Sequence, residues 1–395
     1  MMTGKTVLVT GATGFLGGRV VERLVLEEQA TVRVLLRSPE RASRIASLPV
    51  EFRKGDVSDL ESFTDAARGC EAVIHCASRI EPGVAPEKTS TCLGTQTAAQ
   101  ACAEVNARLV HISSCAVYGI PAVPAVDESQ PCQPRHRKDA YALAKIAAER
   151  FLKSFASGHR LKAAILQPTV IYGPHSEEWT SLPLSLLRSA DIAMPDPDTS
   201  VCNAVYVDDV VTAAFLAVAK CDETCQSYLI NGDDLVTWTG FLSRHAALGT
   251  RGSIVPLKNE ALGRLQADAR KSRSFLRTGM KLIRERPEIR SAIFSTSVAS
   301  GAMTMLQKIF PTRAFESLRK KLKGSPEAGI PVVEFPSPAG PPLQLPPPHF
   351  LEMAAQSFRF SSAKARHDLG YVPRYSLDAA FELIAAWARW SRLIS

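Results

Sequence analysis

Tyr141 and Lys145 stand four residues apart in the run Tyr141-Ala-Leu-Ala-Lys145-Ile-Ala-Ala-Glu-Arg-Phe-Leu, whose pattern is helical. That spacing sets a phenol and an ammonium on one helix face. A free phenol loses its proton near pH ~10, too high for a base at neutral pH. A neighbouring cation favours the phenolate, so Lys145 is expected to draw Tyr141 toward the range of proton transfer. Earlier in the chain the apolar run Val110-His111-Ile112 ends in Ser113-Ser114. A serine hydroxyl at the C-terminal edge of a sheet can hydrogen-bond a reacting oxygen there. Tyr-x-x-x-Lys alone is common by chance, and a serine pair alone is an ordinary strand end. Their order on one element pattern carries the information.

The third feature lies at the start. An apolar strand pattern, Lys5–Thr10, runs into Gly11-Ala-Thr13-Gly14-Phe15-Leu16-Gly17, and a helix pattern follows at once. Glycines here permit a tight turn, close approach of backbone to a pyrophosphate, and close packing of helix on strand. The free N–H groups and dipole of the helix N-terminus favour the anion. The spacing is Gly-x-x-Gly-x-x-Gly, so its place between strand and helix carries more weight than the glycines themselves. The second strand ends in Leu36-Arg37-Ser38, where a site built for NAD usually has Asp or Glu for the ribose 2′-hydroxyl. Leu36 cannot accept that bond, whereas Arg37, with Arg41 nearby, suits a 2′-phosphate. The expected cofactor is therefore NADP rather than NAD. Asp56 is placed to accept from the adenine amino group; otherwise it caps the turn, a role Ser58 and Asp59 serve equally.

Strand candidates are Thr6–Thr10, Thr31–Leu36, Val50–Arg53, Ala72–Cys76, Leu109–Ser113 and Ala163–Gln167, with helical patterns at Phe15–Leu26, Thr95–Ala103 and Tyr141–Ser154. The strands are short apolar runs of the kind covered on both faces, and their alternation with helices predicts a parallel sheet. Ala204–Lys220 and Tyr228–Ile230 read as a further helix and strand. Nine prolines between Ser325 and Phe350 predict an extended strap without regular helix, with order resuming near Leu351.

The chain has 395 residues and a net charge of +8. Residues 251–323 hold 17 Lys or Arg against 5 Asp or Glu, a local +12 that leaves −4 elsewhere. The basic character thus belongs to one segment, and nucleic-acid binding by the remainder is not expected. Leu262, Leu265, Ala269, Leu276, Met280 and Ile283 form a stripe at helical spacing in that segment, flanked by arginines. The stripe either packs as a lid on the substrate lobe or lies on an anionic membrane surface. The nine cysteines follow no metal or disulfide spacing, and the Cys221/Cys225 pair lacks further ligands nearby, so no metal site is expected. No apolar leader precedes the first strand, and a cytoplasmic location, with or without peripheral membrane contact, is the expectation.

Taken together these motifs resemble the extended short-chain dehydrogenase/reductases. Thr10–Gly17 matches that family's cofactor motif, Gly94-Thr95 a turn into its central helix, and Val117-Tyr118-Gly119 the landmark that aligns Ser114 with its catalytic serine. Tyr141 and Lys145 fall on its catalytic pair. Pro168-Thr-Val170-Ile-Tyr172-Gly173-Pro174 matches the segment touching the nicotinamide end. Val205–Val210 and Ser362–Pro373 match late landmarks, leaving about 240–355 outside the resemblance. Asp208 and Asp209 are mostly structural in this family. The resemblance implies an α/β fold, a Rossmann doubly wound parallel sheet over 1–167 completed by about 203–232. A smaller, discontinuous substrate-binding lobe of 168–202 and 233–395 would carry the helical insertion. Catalysis would rest on Ser114, Tyr141 and Lys145, an oxidised nicotinamide adding to the pull on the phenol. Gly11, Thr13, Gly14, Phe15, Leu16, Gly17, Arg37, Asp56, Val57, Ala77, Lys145, Pro168 and Val170 would hold the cofactor.

Two chemistries share this scaffold: net redox of an alcohol/ketone pair, as in relatives similar to 3β-hydroxysteroid dehydrogenases, and epimerisation or dehydration of a nucleotide sugar. Val170 stands where nucleotide-sugar enzymes commonly have Asn, and Cys115 and Ala116 replace the acidic pair of the dehydratases. With Arg37, these favour an NADP-dependent oxidoreductase acting on a small molecule. A non-catalytic NADP-binding regulator is the third reading, and an intact Ser114, Tyr141 and Lys145 argues against it. Arg135, Arg137 and Lys138 either meet an acidic substrate group or form a solvated basic loop. A homodimer is compatible with the family.

Overall fold

A computed structural model of the chain describes residues 1–267 and 341–394. In chain order it contains β1 (Thr6–Thr10), α1 (Phe15–Leu26), β2 (Thr31–Leu36), β3 (Val50–Lys54), α2 (Leu60–Ala67), β4 (Ala72–His75), α3 (Ser90–Val105) and β5 (Arg108–Ile112). β6 (Ala125–Val126), α4 (Ala140–His159), β7 (Ala163–Pro168), β8 (Val170–Tyr172), α5 (Leu182–Ser189), β9 (Asp191–Asp196), β10 (Ala204–Tyr206), α6 (Val207–Lys220) and β11 (Gln226–Ile230) follow. The last elements are α7 (Trp238–Ala246), β12 (Ile254–Lys258), β13 (Leu343–Gln344), α8 (Pro348–Ala354), β14 (Arg359–Phe360), α9 (Ala363–Leu369) and α10 (Leu377–Trp390).

Successive side chains of a strand point to opposite faces, and both faces of this sheet are covered. Val7 and Val9 of β1 pack with Val20, Val21 and Leu24 of α1 and with Val210, Val211 and Phe215 of α6. Leu8, between them, packs on the other side with Phe63 of α2, Ala98 and Cys102 of α3 and Leu152 of α4. That is why the strand signals were unbroken apolar runs. The result is a seven-stranded sheet in the order β11-β7-β5-β4-β1-β2-β3, parallel throughout. The order reverses between β1 and β4, so a crevice opens at their C-terminal ends.

A third core lies beyond the end of the sheet. Tyr172, Trp238, Phe241, Phe350 and Phe381 interlock there, with Tyr172 and Phe241 edge to face at 5.4 Å. Around it are small parallel pairings, β10 with β8, β14 with β6, and β9 between β12 and β13. The first six expected strands and the expected α1 agree with those observed to within a residue at either end, while α3, α4 and β11 are longer than read and Ala204–Lys220 begins with the short strand β10 before α6. The Pro-rich stretch departs from expectation, because α8 begins at Pro348. Proline at a first helical position loses no hydrogen bond, since that N–H has no partner in any case. The helical stripe begins as read: residues 259–267 are helical, with Leu262 buried and Arg264 exposed. The rest of the stripe and most of the strap, 268–340, lie outside the described residues. No helix among the described residues is long and apolar enough to cross a membrane.

Burial holds His75 down to about 3 and His245 down to about 4. Unfolded, both imidazoles take up a proton near ~6.5, so between these limits the unfolded chain binds more protons. The stability they contribute is therefore complete above pH ~6.5 and is lost as the pH falls toward their folded values, about 2 kcal/mol from each by pH ~5. Asp209 acts in the opposite sense, since burial pushes it up to about 6. Between pH ~7.5 and ~5, His245→Asn should lose about 2 kcal/mol less stability than the parent, read from urea unfolding at the two pH values. Equal losses would contradict a buried neutral imidazole.

Candidate active site

The glycine turn is built by contacts that admit no side chain. Gly11 has φ +69°, and a Cβ there would lie 2.7 Å from the Ala77 nitrogen at the end of β4. A Cβ on Gly17 would lie 2.3 Å from the Gly11 carbonyl oxygen, which itself accepts from the Gly14 N–H at 3.0 Å. The turn therefore sits at the switch point between β1 and β4, with the N-terminus of α1 directed at it.

A cleft of about 500 Å³ opens there. Gly11, Thr13 and Gly14 form one wall, Arg37, Asp56 and Val57 another, and Ala77 the floor beside β4. Phe15 and Leu16 face away from it and pack on the third core, while Gly17 is buried beneath the turn. Pro168 and Val170 are buried and are not among the lining residues; Val170 belongs to the third core. Arg37 Nη1 lies 3.6 Å from Asp56 Oδ2 across the mouth, and Arg41 also lines it. Asp56 is held below the usual carboxylate range, mainly because its Oδ1 accepts from the Ser58 N–H and hydroxyl, with Arg37 adding to the effect. Asp59, not Asp56, caps α2.

The sequence reading passed over Ser78 and Arg79, which also line the cleft. They are fixed by Thr91, whose hydroxyl accepts from the Arg79 N–H and donates to the Arg79 carbonyl, both at 3.0 Å. The signal for this was Thr91 itself, one helical turn before the Gly94-Thr95 landmark.

Ser114, just past the end of β5, caps the single helical turn Cys115–Tyr118, its Oγ accepting from the Ala116 N–H. Asp139 caps α4, the helix that carries Tyr141 and Lys145. The nearby Ser114 hydroxyl lowers the proton affinity of the Tyr141 phenol without a well-formed hydrogen bond to it, but burial outweighs this and pushes the phenol up to about 12. Cys115, Glu178 and Asp139 push in the same direction as burial. In the protein alone, then, the expectation that Lys145 draws the phenol down is corrected. Lys145 is buried, its Nζ donates to the Ile112 carbonyl at 2.7 Å, and burial lowers it to about 8. Cys76, at the cleft, does most to oppose this lowering, followed by Glu149. Arg135 is paired at 2.8 Å with Glu352 of α8, so its charge is already met within the protein. All nine cysteines are free.

The arrangement is a nucleotide-sized cleft at the switch point, with α4 carrying the phenol and the ammonium on one face and Ser114 just past the end of β5. The glycine cradle, the helix N-terminus and the basic mouth suit a dinucleotide. The family model described as the NAD dependent epimerase/dehydratase family matches residues 7–231. A noscapine synthase of Papaver somniferum is 28% identical over 265 residues, 59% of this chain and 75% of that protein. A 2-alkyl-3-oxoalkanoate reductase of Shewanella oneidensis is 28% identical over 252 residues, 60% of this chain and 64% of that protein, so just under two thirds of its length is spanned. Among solved structures, a UDP-glucose 4-epimerase of Thermotoga maritima superposes with a TM-score of 0.61 at 17% identity, covering 98% of this chain and 99% of the other. At that identity the likeness speaks for the fold.

The glycine contacts generate a paired prediction. Gly17→Ala should destabilise the protein by about 1–3 kcal/mol, because the new methyl meets backbone that cannot move aside. Gly158→Ala, in α4 with nothing within 4 Å of its Cβ position, should be neutral or slightly stabilising. Thermal melts of the two variants decide this, and equal melting points would mean that α1 does not approach β1 so closely.

Proposed function

The chain belongs to the NAD dependent epimerase/dehydratase family, within the extended short-chain dehydrogenase/reductases, and from that premise we propose that it is an NADP-dependent oxidoreductase interconverting a secondary alcohol and a ketone. The observation that carries the reading is that Tyr141 and Lys145 share one face of α4 and that the Lys145 ammonium bonds the Ile112 carbonyl, two residues before Ser114. Gly11, Thr13, Gly14, Arg37, Asp56, Val57 and Ala77 would hold the dinucleotide, with Gly17 seating the helix beneath it. Lys145, Pro168 and Val170 would border its nicotinamide end. When bound there, a reduced nicotinamide would be the source of the hydride for the carbonyl carbon. A phenol held near 12 stays protonated at neutral pH, so Tyr141 Oη is equipped to give its proton to the substrate oxygen while the Ser114 hydroxyl donates a hydrogen bond to the same atom. Lys145 keeps a positive charge close to the transfer at neutral pH. The protonated phenol is the form that the reductive direction requires. The named activity of the Shewanella relative, a reductase, supports net redox over epimerisation.

Tyr141→Phe should lower turnover by roughly 10²–10⁴-fold with little change in NADPH affinity. Turnover is followed by NADPH absorbance with a panel of 3-oxo acids, steroid ketones and nucleotide sugars. Product formed without loss of absorbance would mean epimerisation, and an active Tyr141→Phe would sink the proton-donor role.

Arg37 carries the cofactor choice. A charge-assisted bond to a 2′-phosphate is worth roughly 1.5–3 kcal/mol, a preference of about ten- to a hundredfold. Arg37→Asp should erase or reverse it, because the introduced carboxylate and that of Asp56 would both face the phosphate. Fluorescence titrations with NADPH and NADH compare the two proteins; tighter NADH binding by the parent would overturn the assignment.

A further inference from the structure

Helix α4 carries a third ionisable group on the face of Tyr141 and Lys145. Glu149 follows Lys145 by one turn and is 2% exposed. Both of its carboxylate oxygens accept from Gln167 Nε2, each at 2.9 Å. Gln167, fully buried in β7, accepts in turn from the Tyr118 hydroxyl at 2.8 Å. Tyr118 closes the turn that Ser114 caps. A continuous buried chain of hydrogen bonds therefore runs from the serine turn, through strand β7, to the helix bearing the phenol and the ammonium. Ser113 Oγ lies close to the same carboxylate without good hydrogen-bonding geometry.

The placement is costly for the fold. Taking a carboxylate out of water costs several kcal/mol, and replacing buried charges with well-packed apolar groups is often neutral or stabilising. Lys153 lies 3.8 Å away from the side open to solvent, too far for a close ion pair to account for the group. What the carboxylate does reach is the serine turn, through two side chains, and the charge on Lys145, one helical turn away.

We propose that Glu149 is a positioning residue of this site, locking the Ser114 turn against α4 through Gln167 and Tyr118 and supporting the positive charge of Lys145. The inference rests on the reading of Ser114, Tyr141 and Lys145 given above. Each end of the chain has its own consequence. Loss of the Tyr118 hydroxyl frees the serine turn and leaves the charge in place. Loss of the Glu149 charge leaves the shape in place and lets Lys145 deprotonate at lower pH, because the ammonium loses an opposing charge.

Tyr118→Phe and Glu149→Gln test the two ends in the full-length protein. Amide hydrogen exchange over residues 115–119 should accelerate in both variants, with NADPH affinity at pH ~7 within about twofold of the parent. In turnover with the NADPH panel, Tyr118→Phe should lower kcat about fivefold with KM nearly unchanged. Glu149→Gln should move the alkaline limb of kcat, and of NADPH binding, down by about half a pH unit or more. Folded variants with the parent's exchange, kcat and pH profile would overturn the proposal. If Glu149→Gln does not fold, the exchange and kcat of Tyr118→Phe decide alone. Tyr141→Phe, run alongside, separates the two levels of inference: its retained activity would remove the proton-donor reading, while the exchange data would still report on the buried chain.

Discussion

How closely α1 can lie on the ends of β1 and β4 governs the rest of this molecule. With Gly17 seated on the Gly11 carbonyl and Gly11 on the backbone of Ala77, the helix, the turn and the strand end form one unit without intervening side chains. That contact sets the direction of the helix N-terminus into the cleft. It also sends Phe15 and Leu16 out of the cleft into the third core, where they meet aromatic residues from β8, α7 and α10. The cofactor turn and the core beyond the sheet are thus two ends of a single helix start. A displacement of α1 large enough to clear a methyl group would disturb both together.

Helix α4 stands in a different physical regime. It lies on the central strands and buries two groups that prefer water, an ammonium against a backbone carbonyl and a carboxylate against an amide. Burial moves each toward its neutral form, lowering one proton affinity and raising the other. Their proton affinities are therefore drawn toward each other, and that of Lys145, at about 8, comes close to neutral pH.

Most of the sheet was legible because each central strand is covered on both faces and must be apolar along its whole length. The glycine turn was legible for the opposite reason, as a place where side chains are excluded. The short pairings were not: β8 with β10 and β6 with β14 involve only two or three residues each, and they form because distant segments are brought side by side. The proposed catalytic residues Ser114, Tyr141 and Lys145 stand out in the sequence by order and spacing. Glu149 stood at the next step of the same helical face, yet a polar residue in a surface-like pattern reads as solvated until its partners Gln167 and Tyr118 are known. The direction in which Tyr141 shifts was also beyond the sequence, since a cation four residues away is visible in it and the depth of burial is not.

Strand β9 has a neighbour on either side, β12 at residues 254–258 and β13 at 343–344, both running parallel to it. The chain thus departs beside Asp196 on one flank of β9 and comes back beside Asp191 on the other, two strand spacings across and five residues along, about 20 Å away. Both attachment points are held by the same strand, so the fold fixes the distance over which the chain must close. The entropy of closing such a loop grows only with the logarithm of its length, about 0.6 kcal/mol per doubling. Closure entropy therefore sets little limit on the number of residues that separate β12 from β13.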